Sequence, residues 1–237
     1  MNKNILIQAF ILFLLPLLAG MLTFRFKKEQ TLSTKLLLSF SGAYLLGLCF
    51  LHLVPEVYTD LGSQTGVFII IGFFFQIILE LISKGVEHGH VHVQAHEHFF
   101  PWALLISLCI HSFFEGFPMN HHEHEQESHA MLMGISLHKI PVAIALVSLL
   151  KQAALKNIYK YLALIIFCLM APIGMLSIGF FNIDLLATIQ PISMALLIGI
   201  LLHVATTIIF EISENHKFNA MKFLSIIAGV LLSFLLN

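Results

Sequence analysis

Long apolar segments, separated by short polar ones, occupy almost the whole chain. A helix needs about 20 predominantly apolar residues to cross the hydrocarbon core of a bilayer, and eight segments meet that length. They cover residues 4–24, 36–55, 66–84, 100–119, 130–150, 158–180, 186–210 and 219–236. The pattern predicts an all-α polytopic membrane protein, a bundle of eight transmembrane helices. The first segment is interpreted as a helix rather than a signal peptide, because its apolar stretch is too long and no small-residue cleavage site follows.

The composition supports the same class of protein. Of the 237 residues, 58% are hydrophobic and only 11% are charged, whereas about a quarter of the residues in soluble domains are charged. The spans use up the length, so the chain is predicted to be one transmembrane domain over residues 1–237. The net charge of −1 carries no information about nucleic acid, and no basic patch supports a nucleic-acid partner. The three cysteines, Cys49, Cys109 and Cys168, lie in apolar segments and are interpreted as packing residues.

The lysines and arginines predict the orientation of the bundle. Ten of the twelve lie in or beside the loops after spans one, three, five and seven. These ten are Arg25, Lys27, Lys28, Lys35, Lys84, Lys151, Lys156, Lys160, Lys217 and Lys222. Because cytosolic loops are enriched in basic residues, the four basic loops are placed in the cytosol and both termini on the extracytoplasmic side. The predicted location is a cell membrane, which would be the inner membrane in a bacterium.

Two polar clusters interrupt the apolar segments in spans four and five. The first runs from His111 to Gly116 and reads HSFFEG, and the second runs from His138 to Pro141 and reads HKIP. An ionisable residue at the centre of a bilayer costs about 2.5–3.5 kcal/mol on insertion scales, so such residues indicate function. His111 and Glu115 are four positions apart and therefore share one face of a helix.

These residue types suit a divalent metal. His111 and Glu115 supply two ligands of the kind that Zn²⁺ prefers, and His138 supplies a third from the next span. Pro141 cannot donate to the carbonyl of Leu137, which leaves an oxygen free close to His138. The alternative interpretation is structural, with the two histidines and the glutamate satisfying one another as hydrogen-bonded links between helices.

Lys139 does not fit the role of a ligand, because an ammonium group repels a metal ion. It is expected to lie next to Glu115, since a pair of opposite charges lowers the cost of burying both. The lysine would then occupy the position of a second cation and leave a one-metal site. The alternative is a simple salt bridge. Ser112, three positions before Glu115, is predicted to donate a hydrogen bond to that carboxylate.

Two histidine-rich loops flank these spans. The loop at 85–99 is predicted on the cytosolic side and the loop at 119–129 on the outer side, and both are expected to lack regular structure. Imidazole and carboxylate together suit zinc, which favours weak metal binding over a plain polar linker. The histidines concerned are His88, His90, His92, His96, His98, His121, His122, His124 and His129.

Polar residues on other spans are candidates for a metal path. In the predicted topology, span two runs outward, so His52 and Glu56 would lie toward the outer mouth. Span seven runs inward, which places His203 near the middle and Glu211 near the cytosolic end, with Glu80 of span three at that same end. The alternative is that these residues are interfacial caps or snorkelling side chains.

Together these features resemble the ZIP (Zrt/Irt-like protein) family of divalent-metal transporters. The resemblance rests on HSxxEG at His111–Gly116, the pair of His138 and Lys139, the string FLHLVPE at Phe50–Glu56, and the histidine-rich loop between spans three and four. It implies a transporter rather than an enzyme, one that moves Zn²⁺, or else Fe²⁺ or Mn²⁺, into the cytosol. It also implies alternating access, with one helix group moving against another, and suggests a homodimer.

The resemblance also assigns residues by position. It implies that His111, Glu115 and His138 are the primary metal ligands and that Ser112 is a position of a second site. The chain departs from the two-metal members of the family, which carry a polar or acidic residue in place of Lys139 and a carboxylate in place of Val142. Because both replacements remove the second site, the chain is interpreted as a one-metal member.

Val142 leaves the fourth ligand open between water, a residue of the path and the Leu137 carbonyl. The same lysine, with Ser112, is found in the subgroup that resembles animal plasma-membrane zinc importers. Cd²⁺ is a further substrate that histidine and glutamate can bind. The metal is the substrate, so no separate cofactor is predicted.

Two other functions stay open from the sequence. A histidine-cluster membrane enzyme would hold its metal at helix ends, but the cytosolic histidines here lie in a loop that contains glycine. A membrane metalloprotease needs HExxH, and Lys139 and Val142 stand in place of its glutamate and second histidine. The other alternative is a metal-sensing or buffering membrane protein that binds metal without transporting it.

Overall fold

The computed structural model describes residues 3–26, 31–83, 102–121, 125–177, 180, 183–211 and 220–235. Within these ranges the chain is nearly all helical and contains no strand. Its α-helices are α1 (Lys3–Arg25), α2 (Thr31–Leu48), α3 (Val54–Leu61), α4 (Thr65–Ser83), α5 (Trp102–Gly116), α6 (Glu125–Gln152), α7 (Asn157–Ser177), α8 (Ile183–Glu211) and α9 (Ala220–Leu235).

Six helical stretches in the described ranges are long and apolar enough to cross a membrane, and Ala220–Leu235 is a shorter apolar helix. One of the six, Leu32–Ile82, has 51 residues and contains the second and third predicted spans. At about 1.5 Å per residue, it is more than twice as long as the hydrocarbon core of about 30 Å. The prediction of an all-α polytopic membrane protein is confirmed, while the number of spans and the position of the termini stay predictions.

The long stretch contains two irregular turns. A π-helical turn at Cys49–Leu53 joins α2 to α3 and carries His52, and such turns are frequent at functional sites. The second irregularity is at Gly62, which ends α3 with a φ of 55°, a value that glycine adopts without steric cost. Thr65 Oγ1 donates to the Val57 carbonyl at 3.2 Å and ties the start of α4 to α3.

Two predicted boundaries differ from the structure. Helix α5 ends at Gly116 and is followed by a 3-10 turn at Phe117–His121, so the last residues of span four are 3-10 rather than α-helical, while the apolar stretch still ends at Met119 as predicted. Helix α6 begins at Glu125, so the second half of the predicted loop at 119–129 is helical. That half reads EQESH and is rich in good helix formers, which an apolar pattern does not detect.

The helices pack as two groups. The first helix group contains α1, α5, α6 and α7, and the second contains α2 with its continuation α3, α4, α8 and α9. The groups meet where α2 packs on α6 and where α4 packs on α5. An apolar cluster fills this boundary, with Tyr44 and Leu48 of the second group against Met131 and Ile135 of the first.

Apolar side chains cover the outside of the bundle, and charged ones lie inside. Phe74 and Leu224 expose 61% and 63% of their surface, whereas Glu115 and Lys139 expose 1% each. A soluble protein distributes these residue types in the opposite way. The distribution is that of a protein whose outer surface faces lipid.

Lysines satisfy helix ends in the first helix group. Lys151 Nζ donates to the carbonyl oxygens of Thr23 at 3.4 Å and Phe26 at 2.7 Å, at the end of α1. Lys160 Nζ donates to the Lys151 carbonyl at 3.2 Å. The last carbonyls of a helix have no partner within it, so these contacts tie α1, α6 and α7 together at one end.

Glycines bring α5 and α7 into backbone contact. A methyl group added at Gly116 would overlap the Ala171 carbonyl oxygen, and one added at Gly174 would overlap the Phe113 carbonyl oxygen. Backbone atoms cannot turn aside as a flexible side chain can, so the helix itself would have to move. This crossing fixes α5, the helix of the first polar cluster, against α7.

We expect Gly174→Ala and Gly66→Ala to change stability in opposite directions. The first is expected to lower the free energy of unfolding by about 1–3 kcal/mol, because it overpacks the crossing. A methyl group at Gly66, on α4, meets nothing within 4 Å, so it is expected to raise that free energy by up to about 1 kcal/mol through helix propensity. Unfolding of the purified variants in detergent measures both, and equal effects would contradict the close crossing.

Candidate metal centre

Two neighbouring helices bring three side chains of metal-ligand type together. His111 and Glu115 lie one turn apart on α5, and His138 lies on α6. Their ligand atoms are all within 4.8 Å of one another, and the described residues contain no other group of three such side chains. All three are buried, with exposed fractions of 3%, 1% and 2%. The predicted convergence of these residues is therefore confirmed in space.

Glu115 lies at the centre of this group. Its Oε1 atom is 3.2 Å from His111 Nε2 and 4.0 Å from His138 Nε2. Two ligands of one tetrahedral zinc ion, with bonds of about 2.0–2.1 Å, are about 3.3–3.4 Å apart. The first distance therefore fits a bound ion as it stands, and the second fits after a shift of less than about 1 Å. Oε1 accepts no hydrogen bond from the described residues, so its lone pairs remain available to a cation.

The ammonium group of Lys139 approaches the other oxygen of the same carboxylate. Nζ is 3.4 Å from Glu115 Oε2, donates to Ser112 Oγ in a short contact, and lies 4.5 Å from the centre of the Phe167 ring. The prediction that Lys139 neighbours Glu115 is confirmed. The two oxygens of the carboxylate thus have different neighbours. Oε1 faces the two histidines, and Oε2 faces the ammonium group of Lys139.

The prediction that Ser112 donates to Glu115 is wrong. Its hydroxyl group donates instead to the Phe167 carbonyl on α7 at 3.4 Å and accepts a hydrogen bond from Lys139. A hydroxyl group can donate only one hydrogen bond, and here the acceptor is a carbonyl oxygen of the neighbouring helix. Ser112 therefore supports the lysine rather than the carboxylate.

One contact of the site was not predicted from the sequence. Gln76 on α4 is fully buried, and its Oε1 atom lies 3.0 Å from His111 Nδ1. When a metal takes the Nε2 lone pair of His111, Nδ1 carries the proton and donates to this oxygen. The signal in the sequence is a single amide within the otherwise apolar run at 66–79, and it is weaker than that of an ionisable residue.

The sequence model of the ZIP zinc transporter family matches residues 87–237. This match covers more than half of the chain and includes all three residues of the centre. The chain belongs to the ZIP zinc transporter family. ZIP proteins are transporters and not enzymes, which disfavours the metalloenzyme alternative.

Two curated ZIP proteins are similar to this chain along much of its length. Zinc transporter ZIP1 of Takifugu rubripes is 26% identical over 207 aligned positions, which cover 68% of this chain and 68% of that protein. Zinc transporter ZIP1 of Danio rerio is 26% identical over 182 positions, which cover 57% of this chain and 60% of that protein. Both similarities extend the family assignment beyond the short motifs.

Val142 adds no ligand to the three candidate ligand residues of this ZIP protein. It exposes 4% of its surface and belongs to an apolar cluster with Leu104, Leu108 and Leu146. At this position the chain has an apolar side chain that packs in the core of the first helix group. Three protein ligands with an open fourth position are typical of sites that exchange what they bind.

The candidate path residues form two separate contacts away from the centre. His203 Nε2 lies 3.3 Å from Glu80 Oε2, and its ring packs edge-to-face on Phe73, so it links α8 to α4. His52 Nε2 lies 3.2 Å from the Ser233 carbonyl oxygen and links the π-helical turn to α9. Both contacts join two helical elements, and a role in a metal path stays a prediction.

The remaining predicted residues are described only in part. Glu56 is half-buried on α3, and His129 is exposed in the first turns of α6. The side chain of Glu211 lies outside the described residues. The same holds for the side chains of the other loop histidines, His88, His90, His92, His96, His98, His121, His122 and His124.

Proposed function

We propose that this protein carries Zn²⁺ across a cell membrane into the cytosol through a one-metal site made of His111, Glu115 and His138. The observation that carries the proposal is the convergence of three ligand atoms within 4.8 Å, inside a bundle whose outer surface is apolar. A charged carboxylate and two imidazoles at that depth are costly unless they serve a function. Membership of the ZIP zinc transporter family supports the choice of substrate.

The ligand set favours zinc among the divalent metals. Two imidazole nitrogens and one carboxylate oxygen suit Zn²⁺ in a tetrahedral site. The same donors also bind Fe²⁺, Mn²⁺ and Cd²⁺, and affinity alone separates these metals weakly. Competition for uptake among the four ions in proteoliposomes ranks them.

Eight spans with both termini outside are part of the proposal. The distribution of lysine and arginine supports this topology, as do the breaks at Gly62 and between the apolar helices. In this orientation α5 runs outward and α8 runs inward, so that the pair of Glu80 and His203 lies on the cytosolic side of the metal centre.

Alternating access would proceed by movement of the first helix group against the second. All three ligand residues belong to the first group, on α5 and α6, so the site would travel as one unit. The boundary between the groups is filled by apolar side chains, which can slide past one another with few polar contacts to break. The three ligand residues would therefore stay together as the group moves.

Uptake by His138→Ala tests the assignment of the site. The variant loses one of three ligands, so the initial rate of zinc uptake into proteoliposomes is expected to fall by about 100-fold or more. Met133→Ala is the control, because it removes an exposed side chain that is not a metal ligand from the same helix, and it is expected to keep the wild-type rate. Uptake that survives His138→Ala would overturn the site, and zinc binding by a wild-type protein without uptake would favour the sensor alternative.

A further inference from the structure

We infer that Gln76 is a positioning residue that links the zinc affinity of the site to the position of the two helix groups. It holds His111 in the metal-binding orientation while α4 is docked on α5, and it gives up that contact when the groups move apart. The inference rests on the proposed transport function and names the residue through which movement changes affinity.

The side-chain amide of Gln76 is buried where it is unfavourable without a hydrogen-bond partner. It exposes none of its surface, and its nearest neighbours along α4, at 73–75 and 77–79, are apolar. Burial of an amide in apolar surroundings is unfavourable unless its polar atoms are hydrogen-bonded. The bond from His111 Nδ1 to Gln76 Oε1, at 3.0 Å, supplies such a partner across the boundary between the groups.

The bond selects the form of His111 that binds metal. Nε2 is the nitrogen that faces Glu115, so Nε2 must keep its lone pair and Nδ1 must keep the proton. An acceptor opposite Nδ1 fixes this tautomer, holds the ring plane and makes Nε2 a better donor to a metal. Loss of that acceptor removes its preference for the proton on Nδ1 and so favours the metal-binding tautomer less.

Other hydrogen bonds across the boundary lack this property. Ser107 Oγ donates to the Leu79 carbonyl at 2.8 Å, and the Tyr44 hydroxyl donates to the Ala130 carbonyl at 2.9 Å. Both of these bonds end on backbone oxygens rather than on a ligand side chain. The Gln76 bond ends on a ligand of the first helix group, so any movement that breaks it also weakens the metal site.

Linkage makes the effect reciprocal. If docking of the groups raises zinc affinity by some factor, bound zinc must favour docking by the same factor. A neutral amide suits this task because a hydrogen bond to a charged acceptor is about twice as strong and would resist breaking in each cycle. A glutamine at this position therefore supports zinc binding by His111 and still allows the hydrogen bond to break when the helix groups separate.

Two variants of Gln76 test the inference through opposite effects on KM and kcat. Gln76→Leu removes the acceptor, so the KM of uptake and the Kd for zinc in detergent are expected to rise about 10–100-fold, with a much smaller change in kcat. Gln76→Glu keeps an acceptor and strengthens it, so it is expected to preserve or lower KM and to lower kcat. Altered packing alone would not separate the two constants in this way.

Ser107→Ala is the matched control, because it removes a hydrogen bond between the same two helices without touching a ligand. It is expected to leave the KM of uptake within about twofold of wild type. An unchanged Kd in Gln76→Leu would overturn the inference, as would a Gln76→Glu variant with the weak binding of the leucine variant. If Gln76→Leu does not fold, Gln76→Glu decides alone, since unchanged KM and kcat would overturn the inference.

The two proposals fail in different ways. Absence of uptake by the wild-type protein would reject transport, whereas the Kd comparison does not require transport and would still decide the role of Gln76.

Discussion

Replacing Glu115 with glutamine is expected to abolish zinc uptake and to lower the free energy of unfolding by about 3–5 kcal/mol. Uptake is lost because Oε1 is the atom that both histidines approach, at 3.2 and 4.0 Å, and an amide is a poor ligand for zinc. Stability falls because the ammonium of Lys139, with 1% of its side chain exposed, is left buried without its counter-ion. Transport assays and denaturant unfolding of the purified protein measure the two effects.

A second substitution separates the two effects. Glu115→Gln combined with Lys139→Met removes both charges, and replacement of a buried ion pair by groups of similar volume is often neutral or stabilising. The double variant is expected to recover most of the lost stability and none of the uptake. Uptake by either variant would contradict the role of Glu115, and an unchanged stability of the single variant would contradict the ion pair.

Lys139→Asp is expected to raise the number of zinc ions bound per chain by one. The substitution removes the ammonium from Glu115 Oε2 and from Ser112 Oγ, and it adds a carboxylate on the same side of α6, which leaves room for an ion between the two carboxylates. Glu115 Oε2 and Ser112 Oγ no longer contact an ammonium group, so they can bind a metal ion from solution. Metal analysis of purified protein after dialysis against a fixed free zinc concentration measures the stoichiometry.

Lys156→Asp controls for the change in net charge. Lys156 is exposed beyond the end of α6. Lys156→Asp therefore changes the net charge by the same amount as Lys139→Asp without altering the candidate metal centre. Both variants are compared with wild type, so that zinc held by the histidine-rich loops cancels. The same stoichiometry in Lys139→Asp and wild type would contradict the view that the lysine stands in place of a second metal.

The sequence predicts the helices well, because a bilayer imposes a length and a polarity on each span. The prediction is less accurate at helix ends outside the hydrocarbon core, where the bilayer imposes no such constraint. Helix α6 extends to Glu125 through polar helix formers that no lipid constraint marks, and α5 gives way to a 3-10 turn at Phe117. The three residues of the centre were predictable because histidine and glutamate in lipid carry a large cost, and α5 and α6 follow one another along the chain.

The partners of the centre were not predictable in the same way. Gln76 reaches His111 only because α4 packs on α5 in one register, and Ser112 turns to Phe167 because two glycines bring α7 close. Both depend on packing between segments 35 and 55 residues apart in the chain. Local patterns and spacings carry no information about such registers, nor about the division of the helices into two groups.

The ion pair between Glu115 and Lys139 has an electrical consequence. The carboxylate and the ammonium cancel, so in the proposed alternating-access cycle the metal-free site would have no net charge and the loaded site would carry both charges of the metal. Moving two elementary charges through 100 mV is worth about 4.6 kcal/mol, a concentration ratio of more than about a thousand. A membrane potential that is negative inside is therefore sufficient to drive the metal inward, and the return of the metal-free site requires no counter-ion.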